Sequence, residues 1–454
     1  MDQTLEWTQH AEAAQAVSGL LVALVERCQP AANLERRLLE ETATRLLDWV
    51  DAFTVHAQPA IEARWRALGF VGVAIDGVVC YQHAGGRFPR LIADPHFEPA
   101  DGIACDLRVE SVTDALAALD GIGEPEGAPC AAYRRARLAT GGGCTLWAVE
   151  RHGWSGLSMP PPRAPDAVLK HQEAFRLRRR YFADPADGFA ELHRLLDRAI
   201  GDLGRDETCA RFFAAERDYW QHRNRAARIQ KGRQDAFGLG WANHDHHTYR
   251  SSRRWFSSLI AVLEKLGLRC REHFHAGAEA GWGAQVLEHP QTGIVVFADV
   301  DLTPLEADGD IAHTPLPALS AGGRGGARLG TVGMWCALHG EAMLDAGMHH
   351  LECTFAHDEL TRQLGELGVV MMRPFTDFPH LKQAFTQGER WAVAESRLEH
   401  LLMLGHLTLE QAAQFRAEGA LGSHLENLER NNGFKGFNQH GVSHIISGTD
   451  PRKN

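Results

Sequence analysis

Disulfides, membrane-spanning runs and excess positive charge are all missing from this 454-residue chain. The nine cysteines are odd in number and scattered, and no two stand in a Cys-x-x-Cys spacing, which argues against a disulfide framework and against a zinc ribbon. No apolar run reaches the ~18 residues that a membrane span needs. The first fifteen residues lack the basic start and apolar middle of an export signal. A soluble, cytoplasmic protein with no membrane partner is expected. The formal charge of -11 excludes nucleic-acid binding as the main business of the chain. The basic runs at 176–180 and 222–233 then read as solvated helix faces. The glycine-rich stretch 321–326 is not followed by Gly-Lys-Ser/Thr, so it reads as a flexible loop and not as a phosphate cradle.

The chain does have an ordinary globular composition, 44% apolar and 23% charged, long enough for two or three domains. Residues 1–68 show leucines at helical spacing, with Pro30 and Pro59 as breaks. From 70 to 154 short apolar runs alternate with glycine-rich turns, a small α/β unit. Met159-Pro-Pro-Pro-Arg-Ala-Pro165 is a stiff break, and a second helical block follows. The expected division is 1–158, a helical and α/β N-terminal domain; 159–235, a helical linker; and 236–454, a two-module domain.

That last region opens on Trp241-Ala-Asn-His-Asp-His-His-Thr-Tyr-Arg250. Read as a strand, it puts His244, His246, Thr248 and Arg250 on one face. Imidazole and guanidinium together are costly to bury unless a metal, an anion or a carboxylate sits on them. A helix ending at Gly267 and three apolar strands follow, which makes a βαβββ unit. A second unit begins near Gly347-Met-His-His-Leu-Glu-Cys-Thr-Phe355: a strand with adjacent histidines, a helix ending in Leu-Gly, then an apolar strand at 369–372. A helical insertion is expected at 379–418. The fold class is α+β, with paired βαβββ modules curving into a half-open barrel around a pocket.

Two strand histidines and a carboxylate lining one cavity make the facial set that suits iron(II) and leaves positions open. His246, His350 and Glu426 can supply it. Each also has a plainer reading, as a hydrogen-bonded core histidine, a polar strand residue or a surface carboxylate, and His244, His349 or His444 could stand in for one of them. A cupin-type His244/His246 pair would want a glutamate four or five residues on, where the chain has Arg250 and Ser251.

Asp245-His-His-Thr-Tyr-Arg250, with Arg271-Glu272 further on, resembles the opening module of the 2-oxoadipate dioxygenase/decarboxylase (hydroxyglutarate synthase) family, which has the vicinal-oxygen-chelate fold. Met348-His-His-Leu351 is similar to the start of that family's second module, and His424-Leu-Glu-Asn-Leu-Glu-Arg430 to the segment holding its last metal ligand. The resemblance covers roughly residues 240–430. It implies His246, His350 and Glu426 as ligands of Fe(2+), Arg250 as the clamp for a substrate carboxylate, with Arg430 or Arg373 as candidate helpers, and a 2-oxo acid and dioxygen as substrates. His349 stands where the family has asparagine, and 276–282 lacks the family's lysine. The rival expectations are a zinc or manganese isomerase or lyase of the same fold, and a non-catalytic accessory protein. Oligomeric state is not legible.

Overall fold

The computed structural model describes residues 7–99, 101–276, 280–306, 309–320, 327–438 and 450–452. Helices α1 (Ala11–Arg27) and α2 (Gln29–Thr42) come first. The second stops where Ala43 turns left-handed, at φ 56°. The expectation of helix through residue 68 fails at that point. Val50-Asp-Ala-Phe-Thr-Val-His56 is strand β1 (Val50–His56), whose β-branched and aromatic residues suit a pleated, half-buried surface.

The first sheet is completed by α3 (Pro59–Ala67), β2 (Phe70–Ile75), β3 (Val78–His83), β4 (Arg90–Asp94), β5 (Ile103–Val109), α4 (Val112–Ala118), β6 (Tyr133–Gly141) and β7 (Cys144–Arg151). Its strand order is β2-β3-β4-β1-β5-β7-β6. Strand β1 pairs β4 in parallel across the α3 crossover, β5 pairs β7 in parallel across α4, and β1 and β5 meet antiparallel. This is one βαβββ and one βαββ unit side by side.

Four helices follow: α5 (Pro165–Leu177), α6 (Pro185–Leu203), α7 (Arg205–His222) and α8 (Arg225–Asp235). The second sheet is built from β8 (His244–Arg250), α9 (Phe256–Lys265), β9 (Arg269–His275), β10 (Trp282–Glu288) and β11 (Val295–Asp301). A small hairpin, β12 (Leu319–Ser320) with β13 (Ala327–Arg328), and α10 (Thr331–His339) lead to the second unit. That unit is β14 (His350–Cys353), α11 (His357–Glu366), β15 (Thr376–Phe378), β16 (Leu381–Phe385), β17 (Glu389–Trp391), α12 (Glu395–Met403), α13 (Leu409–Glu418) and β18 (Ala420–Arg430).

The order β15-β16-β18-β14-β8-β11-β10-β9 repeats the plan of the first sheet. Strands β8 and β11 are parallel, β14 and β18 are parallel, and β8 meets β14 antiparallel at the centre. Residues from both units line one cavity, so the sheet curves around it. The paired βαβββ, vicinal-oxygen-chelate-like arrangement expected from the sequence is the one found.

Two local expectations are corrected. The stretch 379–391 is strand and not helix: Gln383 and Phe385, two apart on β16, turn to the cavity face, with Phe385 opposite Glu426. Residues 369–372 make only a single bridge, Met371 to Thr386. The glycine-rich stretch 321–326 and His444 lie outside the described residues. No described helix is long and apolar enough to cross a membrane, and the described cysteines are all free thiols.

The outer face of β8 rests on α7. Phe213 packs against the His247 ring at 5.0 Å and the Tyr249 ring at 6.4 Å. The helical block is pinned by a buried carboxylate: Glu216 accepts from Arg178 at 2.7 Å and Arg180 at 2.6 Å. Burial works against the Glu216 charge, but the two guanidinium groups overrule it and hold the carboxyl below its usual range. Glu216→Ala leaves two buried cations without their anion and is expected to cost about 3 to 5 kcal/mol in a urea melt. The folded value lies below the unfolded one, so the wild-type contribution is complete above about pH 4.3 and is lost as pH falls through the depressed value. An alanine variant within about 1 kcal/mol of wild type at pH 7 would contradict this.

Candidate metal centre

Three strands cross at one level. The ladder sets His350 opposite Thr248 on β8 and beside His424 on β18, and it sets Glu352 beside Glu426. Two residues from Thr248 along β8, on the same face, stands His246. One turn of the pleat therefore brings a side chain from each of β8, β14 and β18 together. His246, Glu352 and Glu426, all buried, each offer a donor atom within 4.8 Å of the others.

Each donor is held. The His246 Nδ1 atom lies 3.1 Å from Asp245 Oδ1, and its Nε2 lies 3.3 Å from Glu352 Oε1. Thr248 donates to Glu352 Oε1 at 2.7 Å, and Gln383 donates to Glu426 Oε1 at 3.1 Å. Asp245 is in turn anchored by Arg430 Nε at 3.1 Å and by an ion pair with Arg87. A carboxylate on the remote nitrogen of an imidazole fixes its tautomer and ring plane, the support a ligating histidine receives in metal sites.

The electrostatics call for a cation. Burial, reinforced by repulsion from Glu352, drives the Glu426 carboxyl well above the usual carboxylate range. Burial alone would depress His246, but Glu352 and Asp245 overrule it and raise the imidazole to about 9. Glu352 Oε2 is buried without a hydrogen-bond partner. Two buried carboxylates, one such orphaned oxygen and an oriented imidazole fit a divalent ion of iron(II) or manganese type.

The structure brings His246 and Glu426 together as expected. His350 lines the same cavity one step along β14, stacked on Phe385 at 4.8 Å between centroids, but its nitrogens fall outside the tight group. Burial keeps its pKa well below the ordinary value, and its Nδ1 has no partner. Glu352 was missed from sequence, although the period-two rule applied to His350 points to it. Of the alternatives, His244 is tied to Trp241 O at 2.7 Å and His349 to Gly422 O at 2.7 Å.

Arg250 is buried beyond Thr248 on the same strand. Its Nε lies 3.9 Å from Asp299 Oδ2, its guanidinium sits 5.8 Å from the Trp335 ring centre, and among the described residues its Nε and Nη1 have no hydrogen-bond partner. Asp299, paired with Arg250 across the ladder, lines the cavity, and Arg250 does not. Burial raises the Asp299 carboxyl to about 8 despite Arg250. Arg430 is occupied with Asp245 and with the carbonyl oxygens of Phe434 and Gly436. The cavity measures about 70 Å³, and Phe297, Phe375, Phe385 and Phe437 form its apolar walls.

No protein-family model matches the sequence, and no curated protein matches it. Solved structures similar to the chain include a variant of 4-hydroxymandelate synthase from Streptomyces coelicolor, 13% identical at a TM-score of 0.28, covering 91% of this chain and 98% of that one. Methylmalonyl-CoA epimerase from Mycobacterium tuberculosis is 13% identical at a TM-score of 0.23, over 42% of this chain and 88% of that one. Streptomyces coelicolor methylmalonyl-CoA epimerase in complex with 2-nitronate-propionyl-CoA is 13% identical at 0.21, over 41% and 96%. Likeness at these scores carries no argument about this chain, whose fold rests on its own strand order.

Proposed function

We propose that the chain is a metal-dependent enzyme and, within that class, a cytoplasmic iron(II)-dependent dioxygenase/decarboxylase that shortens a 2-oxo acid of the 2-oxoadipate kind to a 2-hydroxy acid and carbon dioxide. The observation that carries the metal is the convergence of His246, Glu352 and Glu426, with an orphaned carboxylate oxygen, at one cavity. These three hold the ion, and His350 flanks it. A bound iron(II) would chelate the 2-oxo acid and activate dioxygen.

The chain's own residues do the rest. Asp245 keeps His246 in one tautomer, and Gln383 fixes the Glu426 carboxylate. The phenylalanine walls exclude water, which strengthens every charge interaction inside. The unpartnered Nε and Nη1 of Arg250 are a fork for a carboxylate that takes the place of Asp299. A second reading, an isomerase or lyase of the same fold, is favoured by Asp299 itself. A carboxyl pushed up to about 8 beside the cavity suits proton transfer at neutral pH.

Metal analysis after anaerobic purification tests the site. His246→Ala, Glu352→Gln and Glu426→Gln are each expected to lose most of the metal, and His350→Ala to keep it. Loss in His350→Ala with retention in Glu352→Gln would restore the set His246, His350 and Glu426. In chelator, Glu426→Gln is expected to be more stable than wild type by about 1 to 3 kcal/mol, because it removes a carboxyl that burial and Glu352 force to take up a proton on folding. Adding metal should reverse that order. Equal stability of the two proteins in chelator would mean that the pair carries no electrostatic strain.

The reaction is read with an oxygen electrode and product mass over a panel of 2-oxo acids. Iron-loaded protein is expected to consume oxygen and release carbon dioxide with no second organic substrate. Oxygen-independent turnover would select the isomerase or lyase reading, and silence across the panel would reject the 2-oxo acid as substrate.

A further inference from the structure

A second, much larger cavity of about 890 Å³ lies between the two sheets. Its walls come from α1, the loop before β4, β5, the start of β8, β9 and the segment after β18. Seven arginine and lysine residues line it against four aspartates and glutamates. Those carboxylates are already committed. Asp51 accepts from Arg151 at 2.9 Å and pairs with Arg90; Asp245 pairs with Arg430 and Arg87; Glu288 takes Arg271 at 3.0 Å and Lys435 at 2.9 Å; Asp48 takes Arg45 at 2.8 Å.

Arg108 is the cation left over. It projects from β5 into the cavity and, among the described residues, makes no hydrogen bond and no ion pair. Burial lowers its pKa, and Arg151, Arg217 and Arg90 add repulsion that Asp51 only partly offsets. Arg87 faces it across the cavity with its side chain 41% exposed. Trp49, Phe88 and Phe434 supply apolar wall between these charges. Arg108 is half-buried, and a guanidinium that no protein anion takes up, on a wall where cations outnumber carboxylates, leaves its fork open to an anion from outside. Arginine's planar fork matches phosphate and carboxylate alike.

We propose that this cavity binds a small molecule carrying two or more negative charges on phosphate or carboxylate groups, anchored by Arg108 and Arg87. A nucleic-acid strand is not the occupant, because the chain as a whole carries a charge of -11 and repels a long polyanion. The site is separate from the metal cavity. The strand β8 divides them, with His246 lining one and Asp245 the other.

Calorimetric titration of the full chain with inorganic pyrophosphate, and separately with citrate, tests the site. Wild type is expected to bind one equivalent of at least one of them, more weakly as salt rises. Preference for pyrophosphate marks a phosphate ester as the physiological ligand, and preference for citrate marks a polycarboxylate. Arg108→Leu should weaken binding at least tenfold while its ligand-free melting temperature stays level or rises, since the variant removes an unpaired charge. Arg87→Ala, at the half-exposed side, should weaken binding without unfolding the protein, and it decides the matter if Arg108→Leu does not fold. Absence of binding by wild type, or wild-type affinity in both variants, would overturn the assignment.

Discussion

Two carboxylates buried side by side on parallel strands of the second unit, next to its seam with the first, are the constraint on which the second sheet turns. Glu352 and Glu426 come from strands that pair in parallel, so the ladder itself forces them into register. An apolar pair there would pack at no electrostatic cost. Like charges buried a few ångströms apart are tolerated only with a proton or a metal between them. The imidazole of His246 supplies partial relief, and its own rise to about 9 records the same field from the other side. Everything around the group serves to hold it: Thr248 and Gln383 from within the cavity, and Asp245 from behind with the arginines that grip it.

Much of this could be read in the chain. The His-rich strand, its crossover helix and the three strands after it are legible from alternation and from the glycine after Leu266, because each element has a single strong period and a clear stop. His246 is reachable for the same reason, and Glu426 through the resemblance of His424-Leu-Glu-Asn-Leu-Glu-Arg430 to the family's last-ligand segment. Glu352 is not, because the adjacent histidines make His350 the stronger signal, whereas depth in the cavity depends on pairing across β8, where a register shift between Leu351 and Cys353 moves β14 along its partner. No local pattern announces such an irregularity. The first sheet is under-read for a different cause. Leu46, Leu47 and Val50 continue a helical spacing that the backbone abandons at Ala43, and only pairing with β4 and β5 makes a strand of Val50–His56.

The repetition of plan between the sheets has a physical reading. Each βαβββ unit leaves its first strand open on one side, and two units close that edge by meeting antiparallel. The chain does this twice, at β1 with β5 and at β8 with β14. The second pair places ionisable side chains on the inner face of its seam. The corresponding stretch of the first, Ala52 to Val55 against Ile103 to Cys105, carries mostly small and apolar residues, and its ionisable residues Asp51 and Arg108 stand beyond that stretch on the wall of the large cavity.

Asp245 ties the two halves of the molecule together in a way neither sheet requires by itself. One oxygen faces the imidazole of His246, and the other meets Arg430 and Arg87, which belong to the wall of the large cavity. The strength with which Asp245 holds the imidazole therefore depends on how fully the arginines engage it, since a carboxylate shared among more donors has less negative charge to offer each. Arg87 comes from the loop before β4, in the first sheet's half of the chain. The orientation of the candidate-site histidine is thus set partly by a residue more than 150 positions upstream. That dependence couples the two sheets through one shared carboxylate.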